Sequence, residues 1–146
     1  MTNNTNNDSV IEYRAVAPSV EDFIQFRADC GWGRISDEQG QKALQNSLHA
    51  ICAFDLDKMI GFGRLIGDGA LNYYVQDLIV GPEYRNGIIG STILDKLLGE
   101  VKANKRDGNC TVGLMAAVGK EAFYDKFGFI NRPTEKFGSG MTMDIN

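Results

Sequence analysis

From Val10 to Ala17 apolar and polar positions alternate, with Ile11, Tyr13 and Ala15 set against Glu12 and Arg14, which predicts a half-buried strand. Ser19 then stands three residues before Asp22, at the head of a run that puts Val20, Phe23, Ile24 and Ala28 on one face. That spacing predicts a capped helix. Gly31-Trp32-Gly33 breaks it, and Ser36-Asp37-Glu38 starts a second helix through Leu44 to about Leu48. His49–Asp55 and Met59–Ile66 read as the two strands of a hairpin around Leu56-Asp57-Lys58. Gly67-Asp68-Gly69 turns the chain into a long strand, Ala70 to Val80.

The second half changes rhythm. Leu94, Leu97, Leu98 and Val101 mark the buried stripe of a helix from Gly87 or Ile88 to about Ala103. Cys110–Val118 reads as a buried strand, and Glu121–Phe127 as a short helix closed by Gly128. Phe129-Ile130 starts another strand, and Met141–Ile145 alternates and closes the sheet. Hairpins come first and a strand–helix–strand crossover second. The fold class is therefore α+β, a mixed sheet with helices on both faces.

Composition narrows the class without choosing a function. At 146 residues and 43% hydrophobic, the chain suits one globular domain, residues 10–146, behind a disordered polar tail at residues 1–9. No apolar run approaches the roughly eighteen residues that span a bilayer. The tail has neither the basic nor the apolar region of a signal peptide. A net charge of −4 with no prominent Lys/Arg cluster argues against a nucleic-acid partner. Lys102, Lys105 and Arg106 suit the C-terminal end of a helix. Cys30, Cys52 and Cys110 are too far apart for a Cys-x-x-Cys site, which argues against zinc and for a reducing, cytoplasmic setting. His49 is the only histidine, and a structural role suits it best.

The most informative stretch is Val75 to Leu94. An apolar strand runs into a turn containing Pro82 and Gly87, and then into a helix. The free N–H groups of a helix start, aided by the helix dipole, form an anion site. A P-loop would need a Lys before Ser91, and Gly90 stands there. A dinucleotide fingerprint would need a further glycine ahead of Gly87-Ile88-Ile89-Gly90.

Tyr84-Arg85-Asn86-Gly87-Ile88-Ile89-Gly90-Ser91, preceded by Val80-Gly81-Pro82, resembles the acyl-CoA loop of the GNAT superfamily of N-acyltransferases. That loop runs Arg/Gln-x-x-Gly-x-Gly/Ala after a strand ending Val-x-Pro. Arg85 and Gly90 match, whereas Ile88 stands where the family usually has its middle glycine, and a β-branched residue there resists positive φ. Ala122-Phe123-Tyr124-Asp125-Lys126-Phe127-Gly128-Phe129 resembles the family's Phe-Tyr-x-x-x-Gly-Phe segment, in the same order along the chain. The resemblance covers roughly residues 49–146. It implies a central twisted, mainly antiparallel sheet of about six to seven strands with helices on both faces.

It also implies site residues. Leu78, Ile79 and Val80 would offer backbone groups to the pantetheine arm of acetyl-CoA, as a sheet edge receives a peptide. Arg85, Asn86, Gly87, Ile88, Ile89, Gly90 and Ser91 would wrap its diphosphate, Ser91 adding a hydroxyl. Tyr124 would protonate the departing CoA thiolate. Asp77 is a candidate base for the amine, with Tyr73, Tyr74 and Glu83 beside it, although Asp77 could equally pair with a neighbouring strand. Trp32 and Tyr73 are candidate acceptor contacts, Trp32 by stacking on the amine or by covering the core.

The implied activity is acetyl transfer from acetyl-CoA to a primary amine, small or peptidic, by direct attack in a ternary complex. No metal and no membrane enter it, and homodimers are frequent in the family. A non-catalytic acyl-CoA-binding or sensing module is the alternative, supported by Ile88. An NTP-dependent enzyme is a third class.

Overall fold

The computed structural model describes residues 10–146. The expected tail at residues 1–9 lies outside the described residues. Five strands are paired in the order β1-β2-β3-β4-β5: β1 Ile11–Arg14, β2 His49–Asp55, β3 Lys58–Gly67, β4 Asn72–Val80 and β5 Thr111–Leu114. The first four form an antiparallel run. Four helices accompany them: α1 Val20–Asp29, α2 Asp37–Gln45, α3 Ile89–Asn104 and α4 Glu121–Asp125.

The helix starts follow from local chemistry. The Ser19 hydroxyl accepts the Asp22 N–H at α1. At α2, Ser36 accepts from the Gln39 N–H while the Gln39 side chain accepts the Ser36 N–H, a reciprocal capping box. Ahead of β4, the carboxylate of Asp68 accepts the N–H groups of Ala70, Leu71 and Asn72. Those residues form a turn, so the strand begins at Asn72 rather than at Ala70.

The sheet is covered on both faces. Phe23 of α1 meets Phe62 of β3 edge-on at 5.7 Å, and Cys52, Met59 and Ile79 complete that cluster. On the opposite face, α3 lies directly on Gly61 and Gly63. A Cβ on Gly63 would fall 2.8 Å from Ile93 and 2.9 Å from Leu97. Bare glycines here let the helix approach closely, and Ile93, Leu94 and Leu97 are fully buried as a result.

Two features depart from the sequence reading. Five strands are paired among the described residues, not six to seven: Phe129-Ile130 and Met141–Ile145 lie outside the sheet. The reading Cys110–Val118 shortens to Thr111–Leu114, half-buried. The described residues also divide into two compact units, 10–112 and 113–146. The first holds β1 to β4, α1 to α3 and the start of β5, where the Thr111 N–H donates to Leu71 O at 2.8 Å. The second holds α4, closed by Gly128 at φ +92° with its N–H on Asp125 O at 3.0 Å.

Candidate active site

The turn after β4 is built from fixed points. The Gly81 N–H donates to Ile60 O at 2.7 Å, and Pro82–Tyr84 forms one 3-10 turn closed by Tyr84 N–H to Gly81 O. The Tyr84 phenol donates to the Asp55 carboxylate at 2.7 Å, tying the turn to the end of β2. That hydrogen bond raises the Tyr84 phenol above its usual range. Arg85 folds back, its Nε donating to Val80 O at 3.0 Å.

Asn86 then takes the left-handed conformation, φ +65°. Asn tolerates this better than most residues. Ile88 sits at φ −87°, ψ −2°, in ordinary right-handed space. The positive φ in this turn falls at Asn86 and not at Ile88, so the β-branched side chain meets no backbone conflict. Ile88 is 75% exposed and Ile89 is buried, so the former points outward and the latter anchors α3.

The helix start is bare. Ile88 is the N-cap residue and no side chain caps α3. Ser91 Oγ and Thr92 Oγ1 both donate backward to Ile88 O, at 2.9 and 2.8 Å. None of these contacts occupies the N–H groups of Ile89, Gly90 and Ser91. Among the described residues, a sixteen-residue helix thus presents its positive end and donors without a partner. Acidic residues are absent from its first turn. The arrangement fits a diphosphate.

Asp77 lies in a different environment. It is 1% exposed on β4, directly opposite Arg64 of β3. Arg64 Nε donates to one carboxylate oxygen at 2.6 Å, and Arg27 of α1 donates to the other. Arg64 also reaches Ser47 Oγ at 3.2 Å. A bulge explains the position. The register passes from Arg64↔Asp77 to Leu65↔Val75, so Gln76 has no opposite number and the alternation shifts by one. Arg27 lies 5.6 Å from the Phe23 ring and 5.4 Å from the Trp32 ring. Trp32, 44% exposed, is therefore linked to Asp77 through one guanidinium.

The other candidates fall as follows. Tyr73 is buried, with its hydroxyl donating to Gly69 O at 2.9 Å. Tyr74 lies opposite Ile66 on β4, and Glu83 is exposed in the turn. Leu78, Ile79 and Val80 pair on one side with Gly63, Phe62 and Gly61. His49 Nδ1 lies 3.7 Å from Glu100. Tyr124 belongs to the second unit, where its ring meets Phe123 at 5.0 Å and Phe129 at 5.9 Å. Burial raises its phenol above the ordinary value, so it is protonated at neutral pH.

Arg27 and Arg64 were missed by motif reading. A signal existed for each. Arg64 interrupts the apolar run Phe62 to Ile66, and Arg27 falls four residues after Phe23, on the apolar face of α1. Charges at such positions need partners.

Among the described residues no group of three or more His, Cys, Asp or Glu is placed to hold a metal, and no helix is long and apolar enough to cross a membrane.

Comparison with known proteins supplies the setting. The family model described as an acetyltransferase (GNAT) domain matches residues 24–143. A probable acetyltransferase of unknown function from meticillin-resistant Staphylococcus aureus is 29% identical, with a TM-score of 0.83 over 93% of this chain and 100% of that one. A GNAT-family acetyltransferase from Streptococcus pneumoniae is also 29% identical, with a TM-score of 0.73 over 94% and 97%. The chloroplastic GCN5-related N-acetyltransferase 1 of Arabidopsis thaliana is 26% identical over 51% of this chain and 36% of its own length. An uncharacterized N-acetyltransferase of Prochlorococcus marinus is 28% identical over 75% of this chain and 61% of its own length. The chain thus spans only about a third to three-fifths of the length of the curated relatives it matches.

Proposed function

The chain belongs to the GNAT acetyltransferase family, and from that premise we propose that it transfers an acetyl group from acetyl-CoA to a primary amine. The observation that carries this reading is the uncapped start of α3, held in place by Tyr84–Asp55 and Arg85–Val80. Acetyl-CoA brings the activated thioester, and the chain's own residues bind and orient it. The N–H groups of Ile89, Gly90 and Ser91 grip the diphosphate, and the backbone of Leu78 to Val80 guides the arm. Tyr124 holds its proton at neutral pH and delivers it to the departing thiolate.

Asp77 takes an architectural part in this proposal. A base needs a free lone pair facing its substrate, and both oxygens of Asp77 are engaged by guanidinium groups. Its task is to hold Arg27, and through Arg27 the ring of Trp32, at the acceptor side. Of the carboxylates considered as bases, Glu83 is the exposed one.

The sensor alternative drew its support from Ile88. Ile88 sits in right-handed space and the positive φ lies at Asn86, so the loop carries no backbone conflict at Ile88 that would count against binding in either reading. Equilibrium binding of acetyl-CoA and of ATP tests the cofactor, and release of CoA thiol across a panel of amines tests the reaction. Tyr124→Phe should lower kcat by about 10²-fold or more with acetyl-CoA affinity unchanged. Preference for ATP, or turnover indifferent to Tyr124→Phe, counts against the proposal.

A further inference from the structure

The cluster around Asp77 carries more positive charge than negative. Arg64 is buried and Arg27 partly buried, and both donate to the one carboxylate of Asp77. One anion against two cations leaves a positive charge over. Beyond Asp77, Arg64 reaches the Ser47 hydroxyl and the Phe23 ring, both neutral. Arg27 lies beside the rings of Phe23 and Trp32, also neutral, and its Nε is buried with no hydrogen-bond partner among the described residues. A guanidinium does not shed its proton in a protein, so titration cannot relieve the excess. Only an anion can, and a charge left unmet away from water is costly.

The surface nearby adds to the excess. Arg34, in the same loop between α1 and α2 as Trp32, is exposed. Its hydrogen bond goes to Gln25 Oε1 at 3.4 Å, and it has no ion-pair partner among the described residues. Asp29, at the end of α1, is engaged by the Gln25 amide at 2.7 Å. The Cys30 thiol lies in the fields of Arg85 and of the Arg27–Asp77 pair, which sets this end of α1 beside the turn that leads into α3. A chain with a net charge of −4 thus gathers cations here, next to the exposed ring of Trp32.

We propose that the acceptor amine carries an oxyanion, a carboxylate or a phosphate, held by Arg27 and Arg34 beside Trp32. This rests on the acetyl-transfer reading and adds the class of substrate to it. The anion supplies the charge that Asp77 alone does not, and its charge-assisted bonds to the guanidinium groups orient the amine. An amine lacking the anion leaves Arg27 unmet, and the site discriminates against it for that reason.

Matched amines test this: tyrosine against tyramine for a carboxylate, and glucosamine 6-phosphate against glucosamine for a phosphate. Each is followed by release of CoA thiol and by calorimetric binding to the full chain. In one pair or both, the anionic amine should lead its partner by about tenfold or more in kcat/KM, chiefly through KM, and in affinity. Arg27→Gln should erase about tenfold of that ratio. Arg34→Gln, at an exposed position where the fold does not depend on it, should erase about threefold. Which pair responds separates carboxylate from phosphate. A wild type that favours the anionic member of neither pair overturns the proposal, and so does a ratio that both substitutions leave unmoved; acetylation of tyramine or glucosamine in that case leaves acetyl transfer standing. If no amine is acetylated, yet an anionic member binds with the expected lead and loses it in Arg27→Gln, the transfer reading fails and the anion site holds.

Discussion

Arg64 and Asp77 face each other across β3 and β4, with Nε and Oδ2 2.6 Å apart, and Arg27 closes on the other carboxylate oxygen from α1. All three side chains are largely withdrawn from water, at 8%, 0% and 17% exposure for Arg64, Asp77 and Arg27. One buried and one partly buried guanidinium group share one carboxylate, so removing the carboxylate strands both. Asp77→Ala should cost about 3–5 kcal/mol, read from urea unfolding. Asp77→Asn should also destabilise, because it removes the charge while keeping the shape. A variant of normal stability that had lost only turnover would return Asp77 to the role of base.

The close approach of α3 to β3 rests on Gly63. Gly63→Ala puts a methyl within 3 Å of Ile93 and Leu97, both fully buried and unable to retreat. The expected cost is about 1–3 kcal/mol, seen as a lowered Tm. An unchanged Tm would mean that the helix can lift from the sheet at no cost.

Ile88→Asp, at the exposed and right-handed residue that starts α3, sets two effects against each other. A carboxylate at the exposed start of α3 complements the helix dipole, raising stability by about 0.3–1 kcal/mol. The same carboxylate occupies or repels at the N–H groups assigned to the diphosphate. Acetyl-CoA affinity should therefore fall by about tenfold or more in calorimetric titration. Unchanged affinity would place the cofactor elsewhere.

Cys52 predicts an alkaline limb. Burial pushes its thiol from 9.0 up to about 12, with Asp22 adding to the rise. The folded chain keeps a proton that the unfolded chain releases. Stability is then full below about pH 9 and is lost as pH rises toward about 12. Cys52→Ala should flatten that slope in urea midpoints taken across the window, even though its cavity lowers stability at neutral pH. Tyr124, also raised by burial, leaves a residual slope of the same sign above the ordinary phenol range. A wild-type midpoint that is level through the window would refute the assignment.

Much of this was open to sequence reading because it is governed by neighbours within a few residues. Ser19 and Ser36 marked their helix starts, the apolar period located β2, β3 and α3, and the turn from Pro82 onward marked the approach to the start of α3. The question over Ile88 was local, and the positive φ of the turn lies two residues earlier, at Asn86. Asp77 was legible only as a choice between a base and a cross-strand partner. The bulge at Gln76 turns it toward Arg64, and α1 delivers Arg27 from fifty positions earlier in the chain.

Short-range order follows from propensity, capping and side-chain period, and those are written residue by residue. Which charges meet beneath Trp32 and how near α3 comes to Gly63 depend on register between distant segments. A shift of one position reverses every side chain of a strand, and no local pattern records that shift. The fold had to bring the segments together before Asp77 could be seen as an anchor.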